Sequence, residues 1–249
     1  MCLVVFALDV SQDYPLVFAA NRDELHERPS APADWWKDYP GILGGRDLLA
    51  GGSWLAVNQK GWLATVTNLG GKGESKFPRS RGHLVRDYLA TTGDTEHFDN
   101  KVQKEAGASG PFNLMVFDGS IFHYFSNRAK AARLGSGIHA ISNAQLGTGW
   151  PKIHRAKHGL AKCLKEDDPS ECLFKLLSDT SSHEFSTAEE GERMPHDSTL
   201  FVRNPYYGTR SSTVILRSTR RELFFIERRF NAEGELNGEC SYSFTLDED

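Results

Sequence analysis

The chain opens on an apolar run. Leu3 to Val10 begins directly after Met1-Cys2, and a second run, Leu16 to Ala20, follows a polar turn containing Gln12, Asp13 and Pro15. Two apolar runs of strand length joined by turn residues read as a β-hairpin. The opening has neither a basic leader nor a small-residue cleavage site, so it reads as a buried strand rather than a secretory signal. A strand at the very start places Cys2 at the mouth of a sheet.

The rest alternates similarly. Ala50 to Asn58 and Gly61 to Thr67 predict a second hairpin on the turn Asn58-Gln59-Lys60-Gly61. Phe112 to Phe117 and Ser120 to Ser126 predict a third on Asp118-Gly119, and His139 to Ser142 a short strand. Residues 28 to 41, rich in Pro and Trp, are expected as a covering surface loop, residues 70 to 79 as a mobile loop, and Gly44-Gly45 as a turn. A helix is predicted over Ser80 to Thr91, with Leu84, Val85, Tyr88 and Leu89 on one stripe. A second should start after Pro151 and bury Ile153, Leu160 and Leu164. A third should start at Asp168-Pro169 and bury Cys172, Leu173, Leu176 and Leu177. Ser181 to Asp197 reads as a polar lid. Strands are expected at Leu200 to Arg203, Ser212 to Arg217, Glu222 to Arg229 and Ser241 to Leu246. Strands on both sides of a central helical block indicate an α+β chain, with two antiparallel sheets covered by helices, as one domain over residues 1–249.

Composition removes several classes of function. The formal net charge of −4 gives no basic footprint for nucleic acid. No stretch approaches the ~20 apolar residues that span a bilayer. The four cysteines, Cys2, Cys163, Cys172 and Cys240, have no CxxC spacing and make no disulfide framework. With the missing signal, this favours a reducing, cytoplasmic setting. No His/Cys/Asp/Glu spacing suits a metal.

The chemistry-bearing candidates begin with Cys2. Removal of Met1 leaves a thiol and a free α-amine on one residue, and an amine with a reference pKa of about 7.7–8.0 can take the thiol proton itself. Asn21-Arg22-Asp23-Glu24 follows the second apolar run, whose end should return beside Cys2; an Asp there can hold the amine and an Arg can favour the thiolate. Asn68 and Asn143 each end an apolar strand and offer amides as oxyanion donors. Arg210 enters a late strand and can meet a substrate carboxylate or steady the nucleophile. Trp35, Trp36, Trp54 and Trp150 are available to line a cleft or to pack the core.

Taken in order, Met1-Cys2, Asn21-Arg22-Asp23-Glu24, Gly51-Gly52-Ser53-Trp54-Leu55, Asn58 to Asn68, Phe112-Asn113-Leu114 to Gly119, Ser142-Asn143, Trp150-Pro151-Lys152 and Gly208-Thr209-Arg210 resemble the NRDE family, also called TANGO2 (transport and Golgi organisation 2). The resemblance spans essentially the whole chain. It implies an N-terminal-nucleophile (Ntn) fold of four layers in αββα order, distantly akin to bile-salt hydrolase and penicillin acylase. Carried over position by position, it implies a catalytic set of Cys2, Asp23, Asn68, Asn143 and Arg210; Arg22 is expected to join that set in place of the group's arginine, and Asn21, Glu24 and Trp54 are expected to bind substrate. In the enzymes of that group an Arg precedes the Asn of the second-strand motif; here that place is Ala20 and the Arg stands at 22, where its side chain is expected to leave the strand differently. Two functions follow: cleavage of an amide or thioester of a small acyl compound with no cofactor, or carriage of haem or a lipid or acyl-CoA ligand in the same cleft. For haem, Cys and His are the axial ligand types, but no spacing singles out one of the nine histidines. The oligomeric state is left open.

Overall fold

The structure is a computed structural model that describes residues 2–70, 77–91, 98, 100, 102, 104, 106–181 and 199–247. Two antiparallel sheets lie face to face. The first has the order β10-β1-β2-β11-β12-β13, built from β1 (Leu3–Leu8), β2 (Leu16–Leu25), β10 (Gly137–Ile141), β11 (Tyr207–Arg217), β12 (Glu222–Phe230) and β13 (Leu236–Thr245). The second runs in chain order from β3 (Ser30–Trp35) through β4 (Ile42–Asp47), β5 (Leu55–Asn58), β6 (Leu63–Asn68), β7 (Phe112–Phe117) and β8 (Phe122–Ser126) to β9 (Ala132–Leu134).

Three apolar clusters fill the gaps between layers. The central one joins Val4, Phe6, Phe18, Val57, Leu63 and Phe117 between the sheets. The second packs Leu84, Val85 and Tyr88 of α1 (Gly82–Leu89) on the second sheet, with Ala64 and Val116 beneath them. The third packs Ile153, Ala156 and Leu160 of α2 (Pro151–Cys163) and Leu173 and Leu177 of α3 (Ser170–Leu177) on Val5, Val17 and Ala19 of the first. The order is therefore αββα. A strand covered on both faces needs no alternation, which is why all six residues of β1 are buried. At the sheet edge, β13 has one open face and alternates partly buried with exposed residues over Gly238–Thr245.

The three predicted hairpins form, as do helices α1, α2 and α3. Other expectations fail for physical reasons. Residues 28 to 41 contain an edge strand, β3, whose pairing with β4 shifts register between Ala31 and Asp34, around Pro32. An edge strand accommodates a Pro that a central one cannot. Gly44 and Gly45 lie inside β4 rather than in a turn. A Cβ at Gly45 would sit 2.3 Å from the Trp54 ring, and one at Gly44 2.6 Å from Ala56 Cβ, so both positions serve close packing. Leu200 to Arg203 is irregular rather than a strand. Cys163 and Cys172 form a disulfide from the end of α2 to α3, against the expectation of four unpaired thiols. The predicted loop over 70 to 79 and the lid over 181 to 197 fall largely outside the described residues. Among the described residues, no helix is long and apolar enough to cross a membrane.

Candidate active site

The site sits where β1 begins and β2 ends. Leu3 pairs with Asn21, which leaves Cys2 beside Arg22 at the sheet mouth. β2 does not stop at Ala20; it continues to Leu25, so the whole Asn21-Arg22-Asp23-Glu24 motif is strand. Strand alternation then sorts its side chains. Phe18 and Ala20 face the second sheet, and Arg22 continues that row. Position 22 therefore projects from the same face as position 20, one strand repeat further on, rather than leaving the strand differently.

Arg22 is buried, at 5% exposure, with its guanidinium carbon 4.0 Å from the centre of the Trp54 ring. A desolvated cation–π contact of this kind contributes about 2 kcal/mol. Among the described residues its one hydrogen bond goes from Nη1 to Ser30 Oγ at 3.3 Å. Burial depresses its pKa, while the charges of Glu24 and Cys2 oppose the shift. Trp54 in turn rests on Gly45.

The half-buried Cys2 thiol points toward the Asp23 carbonyl, at 3.9 Å. Burial pushes its pKa up; the chain's amino terminus pulls it down, and the Asp23 charge adds to the rise. The thiol is thus protonated at rest and needs a base. Two hydrogen bonds tie the backbone around it and a third holds the Asp23 carboxylate. Ser142 Oγ donates to the Cys2 carbonyl at 2.6 Å. Thr209 Oγ1 donates to Asp23 Oδ1 at 2.6 Å, and Tyr207 donates its phenol proton to the Asp23 carbonyl at 2.7 Å.

Asn68 ends β6 with its side chain exposed on the cleft wall. Its carbonyl accepts from Asn143 Nδ2 at 2.6 Å, so Asn143 holds the Asn68 backbone. Asn113, on β7, clamps the same corner from beneath, donating to the carbonyls of Ser142 and Ala144 while its own Oδ1 accepts from Tyr124. The remaining predicted residues divide. Glu24 and Trp54 line the cleft with Cys2, Arg22, Asp23 and Asn68. The Asn21 side chain is turned toward the helices, donating to the carbonyls of Leu177 and Leu200 and accepting from Ser212. Arg210 is the extra residue where the β11–β2 register shifts between Thr209 and Ser211. A bulge re-aims a side chain, and Arg210 Nη1 donates to the carbonyls of Leu25, His26 and Arg28, fixing the turn behind the site.

The cleft, about 100 Å³, has walls that sequence reasoning missed: Arg28, Asp47, Ser53 and the segment Ser80, Arg81, Gly82. Arg28 donates to Asp47 Oδ2 at 2.6 Å. Arg81 arrives because Gly52 and Gly82 pack backbone to backbone, where a Cβ on Gly52 would lie 2.4 Å from the Gly82 carbonyl carbon. One signal was legible: Arg81 is the N-cap of α1, an end where the helix dipole disfavours a cation.

Two facing antiparallel sheets between helix layers, with a cysteine at the first strand's mouth, define the N-terminal-nucleophile fold class. The chain superposes on the Caenorhabditis elegans N-acylethanolamine-hydrolyzing acid amidase (NAAA) ortholog with a TM-score of 0.55 at 13% identity, covering 86% of this chain and 92% of that one. Within that class the chain belongs to the Transport and Golgi organisation 2 family, whose description it matches over residues 1–232. It is 32% identical over 274 aligned positions to the human Transport and Golgi organization protein 2 homolog and 30% identical to the mouse homolog, covering 99% of each pair.

Proposed function

We propose that the protein, once Met1 is removed, uses Cys2 to cleave an amide or thioester of a small acyl compound. The observation that carries this reading is the meeting of Cys2 with Arg22, Asp23 and Asn68 in one cleft. The α-amine of the processed chain takes the thiol proton as sulfur attacks the carbonyl carbon. The Asn68 amide faces the oxyanion, and Asn143 keeps Asn68 in place. The amine returns the proton to the departing nitrogen or sulfur, and water then releases the acyl group from Cys2. Asp23 orients the amine, and Arg22 lends positive charge to the thiolate. The cofactor-free chemistry needs no group beyond these. The nematode amidase supports the fold alone, so the acyl chain is open.

The test is limited alkylation of native protein followed by intact mass and peptide mapping, with a parallel screen of amides and thioesters against wild type and Cys2→Ala. Loss of Met1, preferential labelling of Cys2 over Cys240, and turnover abolished in Cys2→Ala are expected. Retained Met1, or turnover unchanged in Cys2→Ala, would sink the mechanism. A cytoplasmic location belongs to the same proposal, and the Cys163–Cys172 disulfide argues against it. Thiol trapping of the protein from intact cells decides: a reduced pair fits the cytoplasm and an oxidised pair does not.

A further inference from the structure

Glu24 stands among arginines from three parts of the chain. Burial lowers the pKa of Arg22, Arg81 and Arg210, and the Glu24 charge opposes the fall in each; at Arg28 it adds to the rise that Asp47 causes. Arg28 has a second partner in Asp47. Among the residues that line the cleft, the guanidiniums of Arg22, Arg28 and Arg81 stand against the carboxylates of Asp23, Glu24 and Asp47, and the chain's amino terminus adds a positive charge. The pairing within the cluster is uneven. Arg28 is engaged by Asp47, and Arg210 is held by three carbonyls. Arg22 and Arg81 each make a single hydrogen bond, to Ser30 and to the Pro111 carbonyl, and neither has a carboxylate within 4.0 Å among the described residues. A guanidinium carries five N–H donors, so most of the donors on these two cleft-lining groups are unused.

Apart from the contact of Arg22 with the Trp54 ring, neither placement is one that stability favours. Arg22 is taken almost wholly out of water. Arg81 is partly desolvated at the wrong end of a helix dipole. Burial lowers its pKa, and the charges of Glu24 and of a Cys2 thiolate oppose that fall; it lines the same cleft as Cys2 and lies within electrostatic reach of the nucleophile.

Resting on the hydrolase reading, we propose that Arg81, with Arg22 behind it, forms an anion subsite beside Cys2. The compound that enters therefore carries a carboxylate or phosphate group close to the bond that is cut. The subsite orders the substrate by a charge-assisted fork and leaves uncharged acyl amides poorly bound.

The subsite can be tested without turnover. Cys2 and Cys240 are the free thiols among the described residues, and Cys240 serves as an internal reference. Processed protein is labelled with iodoacetate, which is anionic, and with iodoacetamide, which is neutral. The iodoacetate-to-iodoacetamide rate ratio at Cys2 should exceed that at Cys240 by about tenfold at low salt, in the range of electrostatic focusing in a cleft. Arg81→Gln should bring it down to the Cys240 value, while Arg81→Lys keeps most of it. Unchanged labelling of Cys240 and an unchanged circular dichroism spectrum establish that the variants fold. Protection of Cys2 by succinate but not inorganic phosphate assigns a carboxylate; the reverse assigns a phosphate. Equal ratios at the two cysteines, or a ratio indifferent to Arg81→Gln, overturn the subsite. Should Cys2 resist both reagents, succinate and phosphate are titrated against the Arg81 Nε–H signal by NMR, and no saturable shift overturns it. Anion selectivity without turnover of any amide or thioester would retain the subsite and remove the hydrolase.

Discussion

Glu227 offers the sharpest quantitative test of how the two sheets are held. It lies on β12 at 1% exposure, facing the second sheet. Oε1 accepts the Ala33 N–H at 2.8 Å, while Oε2, near the Ser211 hydroxyl, makes no well-formed hydrogen bond among the described residues. Burial pushes its pKa from 4.5 up to about 7, against the opposing pull of the Ala33 N–H and the charges of Arg229 and Arg22. A folded pKa above the unfolded one means that the folded state holds the proton more tightly. The associated stability is fully present below about pH 4.5 and is lost as pH rises through about 7. At 1.36 kcal/mol per unit, the rise corresponds to about 3 kcal/mol.

Glu227→Gln keeps the shape and the acceptor for Ala33 but removes the ionisation. The variant should be more stable than wild type by about 3 kcal/mol at pH 8, and by less than about 1 kcal/mol at pH 5. Urea denaturation at both pH values measures this, and the difference between the two proteins cancels the titration of every other group. A variant less stable than wild type at pH 8 would refute the reasoning. Glu227 would then be ionised in the folded protein and held by Arg22 and Arg229, with its net electrostatic effect stabilising.

Two other outcomes follow from the same structure. Replacing Cys163 and Cys172 together by Ser opens a loop closed across a sequence separation of 9; chain entropy puts the loss at about 3 kcal/mol, read from urea midpoints in oxidising buffer, and no change would mean that the bridge is absent in solution. In the carrier reading, Cys2 is the one Cys or His that lines the cleft among the described residues, so Cys2→Ala should abolish any Soret shift on haem titration at micromolar protein, and a shift that survives places haem elsewhere.

What was legible in the sequence follows from where burial is one-sided or local. The hairpins at Asn58-Gln59-Lys60-Gly61 and Asp118-Gly119 declare themselves through turn residues, and α1 through its apolar stripe. β3 and β4 were missed because their signals conflict. Pro32 and two Trp suggest a loop, and Gly44-Gly45 suggests a turn, yet the glycines are there to admit Ala56 and the Trp54 ring. That requirement comes from Trp54 and Ala56 on the neighbouring chain segment and leaves no local trace. The site divided the same way. Cys2 and Asp23 come together because a hairpin joins them, and Asn68 follows from its own strand end. Arg28 and Arg81 reach the cleft only through packing between distant segments. Arg210 was legible as a charge but not as the bulged residue that braces the Leu25 to Arg28 turn.

The unfavourable placements share one neighbourhood, and their grouping is itself informative. Locally consistent sequences fold well, and departures from consistency concentrate where function requires them. Among the described residues, Arg22 is buried with no carboxylate within ion-pair distance, Arg81 caps a helix at its positive end, Glu227 is buried with one oxygen lacking a well-formed hydrogen bond, and burial pushes the Cys2 thiol pKa up. Each is a cost that an apolar residue of similar size would avoid. All four are coupled, since the charges of Cys2 and Glu24 act on both arginines and the Arg22 charge acts on both Cys2 and Glu227. An idle scaffold has no reason to keep two under-bonded guanidiniums beside a thiol at the mouth of its central strands. A cleft that receives an acyl compound with an anionic group uses both, one beside the nucleophile and one on the entering charge.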